Sequence, residues 1–316
     1  MGLCVIESHP VQYHAPVYRE VQQHFGIPVT AIYGSNFSIR GYHDREFGAR
    51  LAWDTDLVSG YEPVFLDTSR ATSYEQVTTT GLAAELARID PAVILTVGYG
   101  ARFDREALRL ARRPGHPLMF RGETTDHARK RAPVKAFARD VWLRRFYAQF
   151  TQLLYVGERS LAHFRRLQVS DQRLVFSPYC VDLTTFAPTE EDRLALREPT
   201  RARLGAGPRD LVIVFSGKLV ERKDPMTLVT AAKELPEDLR QRIVLCFMGT
   251  GELGEELARA CTAAPSLRAQ FPGFIPQRGM SEYYHAADLS VLPSVRDETW
   301  GLVVNEALAH GVPAIV

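Results

Sequence analysis

Short apolar runs rich in Val, Ile and Leu alternate along the chain with longer stretches whose apolar positions recur at helical spacing. In the first half the strand-like runs lie at 3–6, 29–33, 93–97, 118–121, 153–156 and 174–177. Residues 74–88 and 105–112 read as helices between them, a βαβ rhythm that predicts a parallel sheet. The rhythm breaks near Phe186. Residues 187–208 hold Pro188, Pro199, Gly205, Gly207 and Pro208 among many charges, which predicts an interdomain connection with a short helix. A second series follows, with strands expected at 211–215, 244–248, 271–274 and 289–292 and helices at 227–234, 254–264, 281–286 and 302–310. Two α/β domains, 1–186 and 187–316, are therefore expected. The apolar run 312–316 reads as a buried parallel strand, which ordinarily continues into a helix covering the sheet. The expectation is an incomplete second domain, a piece of a longer protein, with a frayed apolar tail as the alternative.

Composition narrows the class. With 46% hydrophobic and 24% charged residues the chain is globular, and a formal charge of +1 provides no field that would attract nucleic acid or a bulk membrane surface. Cys4, Cys180, Cys246 and Cys261 show no Cys-x-x-Cys spacing and mostly sit in apolar runs, as reduced thiols do. No apolar run approaches the ~20 residues of a membrane span, and the run at 3–6 lacks the basic segment of a signal peptide. A cytoplasmic protein is expected. Arginine dominates the basic residues, so Lys218 and Lys223, close together in one short motif, stand out.

The strongest chemical signal is Glu298-Thr-Trp-Gly-Leu-Val-Val-Asn-Glu306. Gly301 permits close approach of a ligand, and the helix expected from Leu302 presents backbone N–H groups and a positive dipole end to an anion such as a diphosphate. At ~1.5 Å per helical residue the two carboxylates stand on the order of 10 Å apart, wider than the ~5 Å pair of a retaining glycosidase, so they are expected to have separate roles. This segment, with the following Ala-Leu-Ala-His-Gly-Val-Pro313, resembles the E-x7-E motif of the retaining glycosyltransferases of family 4. That resemblance implies a GT-B fold, two Rossmann-like domains with parallel sheets facing across a cleft. It also implies that Glu298 holds hydroxyls of the donor sugar, that Glu306 holds the nucleotide ribose, and that Trp300, Gly301 and Leu302 form the donor-binding turn between them.

Directly after the first strand of the second series comes Ser-Gly217-Lys218-Leu-Val-Glu-Arg-Lys223-Asp-Pro225. Preorganised cations beside a glycine turn suit a leaving group whose charge grows as a glycosidic bond breaks. Read alone, two lysines are also what a solvated surface shows. In the resembling family this place grips the donor diphosphate, which gives Lys218 and Lys223 that role and groups them with Glu298 as the catalytic set. Met248-Gly249-Thr-Gly251 is similar to a family turn after another strand, although two glycines after a strand also simply close a turn. Phe274 and Ile275 follow a Pro-Gly pair where the family commonly contacts the base, with core packing as the alternative.

In the first domain, Ser8-His9-Pro-Val-Gln12-Tyr13 lies at the end of the opening strand, where ligands approach open α/β sheets. Arg121-Gly-Glu123-Thr-Thr-Asp-His127 follows another strand in the same way. The resemblance makes His9, Gln12, Tyr13, Arg121, Glu123 and His127 acceptor-side candidates, and the absence of the paired glycines of many relatives leaves the acceptor class open. Residues 128–150 mix basic and aromatic side chains, but the basic ones do not form a single helical stripe, so a partly buried helix is expected ahead of a membrane-surface one. No His/Cys cluster has zinc spacing, and neither a P-loop nor a Gly-x-Gly-x-x-Gly after the first strand is present. The expectation is a hexosyltransferase using a nucleoside diphosphate sugar, with retention, in polysaccharide or glycoconjugate assembly. Its partners would be the donor, a glycan or lipid-linked acceptor, and at most a weak peripheral membrane contact. It would need no metal, cofactor or nucleic acid. A nucleotide-sugar epimerase or hydrolase, or an inactive nucleotide-sugar-binding fragment, are the alternatives.

Overall fold

The computed structural model describes residues 2–44, 49–51, 54–67, 71–126, 132–295 and 298–316, with the backbone alone at 42–44, 49–51 and 67. The chain forms two compact units, Met1–Tyr42 with Asp56–Tyr179, and His43–Thr55 with Cys180–Val316. Its strands are β1 (Leu3–Glu7), β2 (Val29–Ser35), β3 (Tyr42–Asp44), β4 (Ala49–Leu51), β5 (Glu62–Asp67), β6 (Val93–Val97), β7 (Leu118–Gly122), β8 (Gln152–Tyr155) and β9 (Leu174–Phe176), then β10 (Leu211–Ser216), β11 (Ile243–Met248), β12 (Arg268–Gly273), β13 (Leu289–Val291) and β14 (Ala314–Ile315).

The first unit is built on a parallel seven-stranded sheet in the order β5-β2-β1-β6-β7-β8-β9. The chain winds outward from β1 through β2 to β5, then returns to the other side of β1 with β6. That reversal leaves a crevice outside the carboxyl ends of β1 and β6, the usual place for a ligand in open α/β sheets. The second sheet repeats the device with five parallel strands in the order β12-β11-β10-β13-β14. Its switch point falls between β10 and β13. Both central strands are buried because helices cover both faces: Cys4, Val5 and Ile6 in β1, and Val212, Val214 and Phe215 in β10, are 2% exposed or less.

The expected strands appear with shifts at their ends, and the departures have local causes. β5 escapes the apolar pattern because Glu62, Pro63 and Asp67 interrupt it. The helix expected at 74–88 is instead a 3-10 turn, Tyr74–Gln76, followed by a helix at Leu82–Ile89. Three consecutive threonines, which lose side-chain freedom in a helix, and Gly81 at φ +88° separate them. β12 lies at Arg268–Gly273 in place of 271–274; it holds Pro272, tolerated because β12 is an edge strand.

The short helix expected in the connection extends over fourteen residues, Glu190–Arg203, with Pro199 inside it. A capping box starts it: Thr189 Oγ1 accepts from Asp192 N at 3.1 Å, and the Asp192 carboxylate accepts from Thr189 N at 3.1 Å. Arg201, 2% exposed, then ties it to the sheet by donating to Asp288 Oδ2 at 2.9 Å and to the carbonyls of Ala286 and Gly207 at 3.0 Å. Those tertiary bonds outweigh the local cost of the proline. Cys4, Cys246 and Cys261 are buried free thiols and Cys180 is exposed; burial pushes Cys4 and Cys246 up to about 12.

Candidate functional site

The second switch point gathers the chemical motifs of the C-terminal half. β10 delivers Gly217 and Lys218, β11 delivers Gly249 and Gly251, and β13 leads toward Glu298. The two glycine turns interlock: Gly217 N donates to Met248 O and Leu219 N to Thr250 O, both at 2.9 Å, and Leu253 N donates to Leu219 O at 3.0 Å. Gly249 lies so close over this turn, at φ +151°, that a Cβ there would stand 1.9 Å from the Gly217 carbonyl oxygen. The glycines therefore let two strand ends lie backbone to backbone.

Lys223 ends a 3-10 turn, Glu221–Lys223, closed by its own N–H bonding Val220 O at 3.0 Å. Asp224 in the left-handed conformation and Pro225 at the first helical position fix where that turn passes into the helix Pro225–Glu234. Val295 N donates to Arg222 O at 3.3 Å, joining the turn to the segment before Glu298. Lys223 Nζ is ion-paired with Glu298 Oε2, which also accepts from Ser294 Oγ at 2.9 Å. Lysine and glutamate side chains are 18% and 24% exposed, so the pair is neither dry nor fully solvated. Glu298 precedes the helix Leu302–Ala309, whose N-cap, Gly301 at φ +81°, offers no side-chain cap to the first-turn N–H groups. A Cβ on Gly301 would meet Leu292 Cδ2 at 2.8 Å. Cations, close backbone turns, a helix start and a hydroxyl-accepting carboxylate thus share one sheet edge.

The other donor-side candidates lie after β12 and along the helix Leu302–Ala309 and the turn before it. Trp300 Nε1 donates to Asn305 Oδ1 at 2.7 Å, holding the indole against the helix that Leu302 begins. Phe274 and Ile275 follow β12; both are half-buried, and Ile275 packs on the core that includes Val212, Met248 and Tyr284. Glu306 is 8% exposed and accepts from Tyr284 Oη at 2.9 Å. Burial pushes its carboxyl up to about 7, against a smaller opposing effect of the Tyr284 hydrogen bond. An unfolded glutamate titrates near 4.5, so between there and pH 7 the native state holds a proton the unfolded chain has lost, and stability falls as pH rises through this window. Glu306→Gln removes that slope. The expected result is a gain in relative stability of the variant on going from pH 4.5 to 8, on the order of 3 kcal/mol at ~1.4 kcal/mol per unit, read from urea midpoints. Parallel midpoints for the two proteins across that range would count against a buried protonated Glu306.

At the first switch point the loop after β1 carries His9, Gln12 and Tyr13. His9 rests 4.5 Å from the Phe37 ring and shares a 2.8 Å hydrogen bond between Nδ1 and Ser8 Oγ. Burial pushes its imidazole down to about 4. Tyr13 packs edge-on against Tyr179 at 4.9 Å, and the Arg121 guanidinium lies 4.2 Å from the centre of the same ring. Arg121 also donates to the carbonyls of Ser177 and Pro178 at 3.3 and 3.2 Å. Glu123, half-buried, follows β7 one residue beyond Gly122. His127 lies outside the described residues.

Sequence reasoning missed the pair at the centre of this cluster. His14 Nδ1–H donates to Glu7 Oε1 at 2.6 Å and Tyr18 Oη–H to the same oxygen at 2.7 Å. Burial alone would raise the Glu7 carboxyl, but His14 and these two hydrogen bonds outweigh it and hold it below the ordinary carboxylate range. Among the described residues, Glu7 Oε2, His14 Nε2, Gln12 Oε1 and Arg121 Nε are buried without a hydrogen-bond partner. Such orphaned atoms are costly in a packed interior and mark this as a place prepared for polar groups. A glutamate ending an apolar strand, with His and Tyr at helical spacing after it, was the signal available in the sequence.

Residues 197–316, from within the helix Glu190–Arg203 to Val316, match the family model described as Glycosyl transferases group 1. D-inositol 3-phosphate glycosyltransferase 1 of Catenulispora acidiphila is 36% identical over 146 residues, covering 43% of this chain and 33% of that protein. The D-inositol 3-phosphate glycosyltransferase of Xylanimonas cellulosilytica is 33% identical over 147 residues, covering 45% and 34%. The chain thus spans about a third of the length of these curated relatives. Among solved structures, sucrose-phosphate synthase from Thermosynechococcus elongatus superposes with a TM-score of 0.67 at 16% identity, covering 99% of this chain and 80% of that one. Anabaena Alr3699/HepE in complex with UDP and glucose does so with a TM-score of 0.64 at 13% identity and the same coverage. The fold is that of the GT-B glycosyltransferases, as the resemblance implied.

Proposed function

We propose that the chain is the catalytic part of a retaining glycosyltransferase that moves a hexosyl group from a nucleoside diphosphate sugar to an acceptor hydroxyl, in polysaccharide or glycoconjugate biosynthesis. The observation that carries this reading is the pairing of Lys223 with Glu298 beside the glycine turns at the second switch point. Lys218 and Lys223 face a diphosphate whose charge grows as the anomeric bond breaks, and Glu298 accepts hydroxyls of the sugar. The relatives named as inositol phosphate glycosyltransferases, and a solved neighbour holding UDP and glucose, support a nucleotide-sugar donor. The cluster around Gln12, Tyr13 and Arg121 receives a glycan or lipid-linked acceptor. Charge on the leaving group is met by the lysines and backbone N–H groups, so no metal enters this reading.

Among the described residues no helix is long and apolar enough to cross a membrane, and the reading places the enzyme in the cytoplasm. The test is turnover of a panel of UDP-, GDP- and ADP-sugars, following released nucleoside diphosphate with and without acceptor and with EDTA. The expected result is acceptor-dependent release from one donor class, unchanged by EDTA. Free sugar or an epimer formed without acceptor would instead make this a hydrolase or epimerase, and binding without release a nucleotide-sugar-binding fragment.

A further inference from the structure

In the second unit the helices Glu190–Arg203 and Met280–Ala286 border a cavity of about 250 Å³, with the turn at 310–313 as its third side. At ~30 Å³ per water it has room for about eight waters, the scale of a single sugar ring with its hydroxyls. Asp288 leads into β13 and Pro313 into β14, so the cavity lies at the amino ends of these strands. The glycine turns and Lys218 follow the carboxyl ends of β10 and β11. In a parallel sheet those are opposite edges, and the two places are distinct.

The charges bordering the cavity are matched by one another. Asp288 is ion-paired with Arg197 and accepts from Arg201 Nη1 at 2.9 Å and from Val212 N at 2.8 Å. Arg197 Nη1 also donates to the carbonyls of His285 and Ala287 at 2.8 and 3.0 Å. Glu190 and Arg193, one helical turn apart, pair at the exposed rim at 3.2 Å. Each charge thus has a partner of opposite sign, which suits a neutral ligand better than an ion. The ring of His285 is matched on one side only. It is 2% exposed and borders the cavity, with Nε2 2.6 Å from the carbonyl oxygen of Ala187. A carbonyl can only accept, so Nε2 carries the ring proton and Nδ1 of the neutral imidazole is an acceptor. Among the described residues Nδ1 is buried with no hydrogen-bond partner, a costly state that a donor would relieve. The fitting ligand therefore brings an O–H or N–H to Nδ1. At the rim it donates to Glu190 and accepts from Arg193, as neighbouring hydroxyls of a sugar do, and Ala287 and the exposed Pro313 offer apolar surface to the C–H groups of the ring.

We propose that this cavity is a second saccharide site, holding one neutral hexose unit at the edge of the sheet remote from the donor motifs. His285 Nδ1 accepts from one hydroxyl, and the Glu190–Arg193 pair spans two others. Binding here does not depend on turnover, so the site stands whether or not the transferase reading does. The chain is titrated with D-glucose, D-mannose, D-galactose and inorganic phosphate, followed by saturation-transfer NMR of the sugars and by the imidazole signals of the protein. Saturable binding of at least one hexose, with a dissociation constant of roughly 1–10 mM, is expected for a ligand this small. His285→Gln keeps an N–H for the Ala187 carbonyl at the place of Nε2 and removes the acceptor at Nδ1; it should weaken binding about tenfold, as should Arg193→Ala. Arg193 is exposed, so its variant tests the site even where His285→Gln fails to fold, and melting temperatures check both. Glu298→Ala, at the other edge of the sheet, should bind as wild type does. No saturable signal up to about 100 mM hexose, or unchanged affinity in the folded cavity variants, would overturn the proposal. So would binding lost in Glu298→Ala, which puts the sugar at the donor motifs, or phosphate binding in a chain that ignores hexoses, which makes the cavity an anion site.

Discussion

Lys223→Ala is expected to lower turnover by about 10²- to 10³-fold, the usual cost of removing one preorganised charge from a developing anion. Lys223 is held by a closed 3-10 turn on one side and by Glu298 on the other, so its ammonium is in place before the leaving group acquires charge. That preorganisation is what separates it from a surface lysine, which would have to be ordered during the reaction. Stability should barely change, because a partly solvated ion pair contributes on the order of 1 kcal/mol or less. Loss of nucleoside diphosphate release with an unchanged urea midpoint is the expected pattern. Turnover within a factor of about three of wild type would remove Lys223, and with it the reading of the second switch point, from the chemistry. Glu298→Ala should lose turnover as well, and it frees Lys223 and Ser294 Oγ of their shared partner.

A second large effect is expected at Gly249. In Gly249→Ala the new Cβ would lie 1.9 Å from the Gly217 carbonyl oxygen, and the obstacle is backbone, which has no rotamer to give. The two turns must separate, breaking the bonds from Gly217 N to Met248 O and from Leu219 N to Thr250 O. A destabilisation of about 2–4 kcal/mol is expected, measured by urea denaturation, together with loss of donor affinity, because Lys218 sits in the displaced turn. Gly254→Ala is the control. It follows the same strand, but its added Cβ would meet only Leu219 Cδ1 at 3.7 Å, an ordinary contact, at the first position of the helix Gly254–Thr262. That change should be neutral or slightly stabilising. Equal effects of the two substitutions would mean that the interlocked turns are not what makes glycine necessary at 249.

The candidate site of the second unit was legible because its parts are local. A glycine turn after an apolar run, two lysines five residues apart and two glutamates eight apart are short patterns. Strand-turn-helix units place each at the carboxyl end of its own strand. The order of the strands is not local, yet one parallel winding rule brings those ends together at the reversal between β10 and β13. The buried environment of Glu306 was not legible. It depends on Tyr284, twenty-two residues earlier, packing its hydroxyl against a helix that shows no sign in the sequence of which side faces inward.

In the first unit the balance is reversed. The sequence by itself determined the βαβ alternation and the loops at strand ends, because those follow from apolar periodicity and turn residues over windows of a few positions, whereas the compact units, with His43–Thr55 joined to Cys180–Val316, were drawn by tertiary contacts. Only the tertiary structure decided which polar groups in those loops meet. Glu7 could not be told from an ordinary strand-end acid until His14 and Tyr18 were brought onto the same oxygen. Arg121 met Tyr179 only when strands β7 and β9, separated by β8, were laid in one sheet. The helix Pro133–Tyr147 has Leu143 and Phe146 buried but Val134 and Phe137 exposed. Which apolar side lies inside is decided by the sheet it covers, since burial belongs to the pair of packed surfaces and not to either sequence alone.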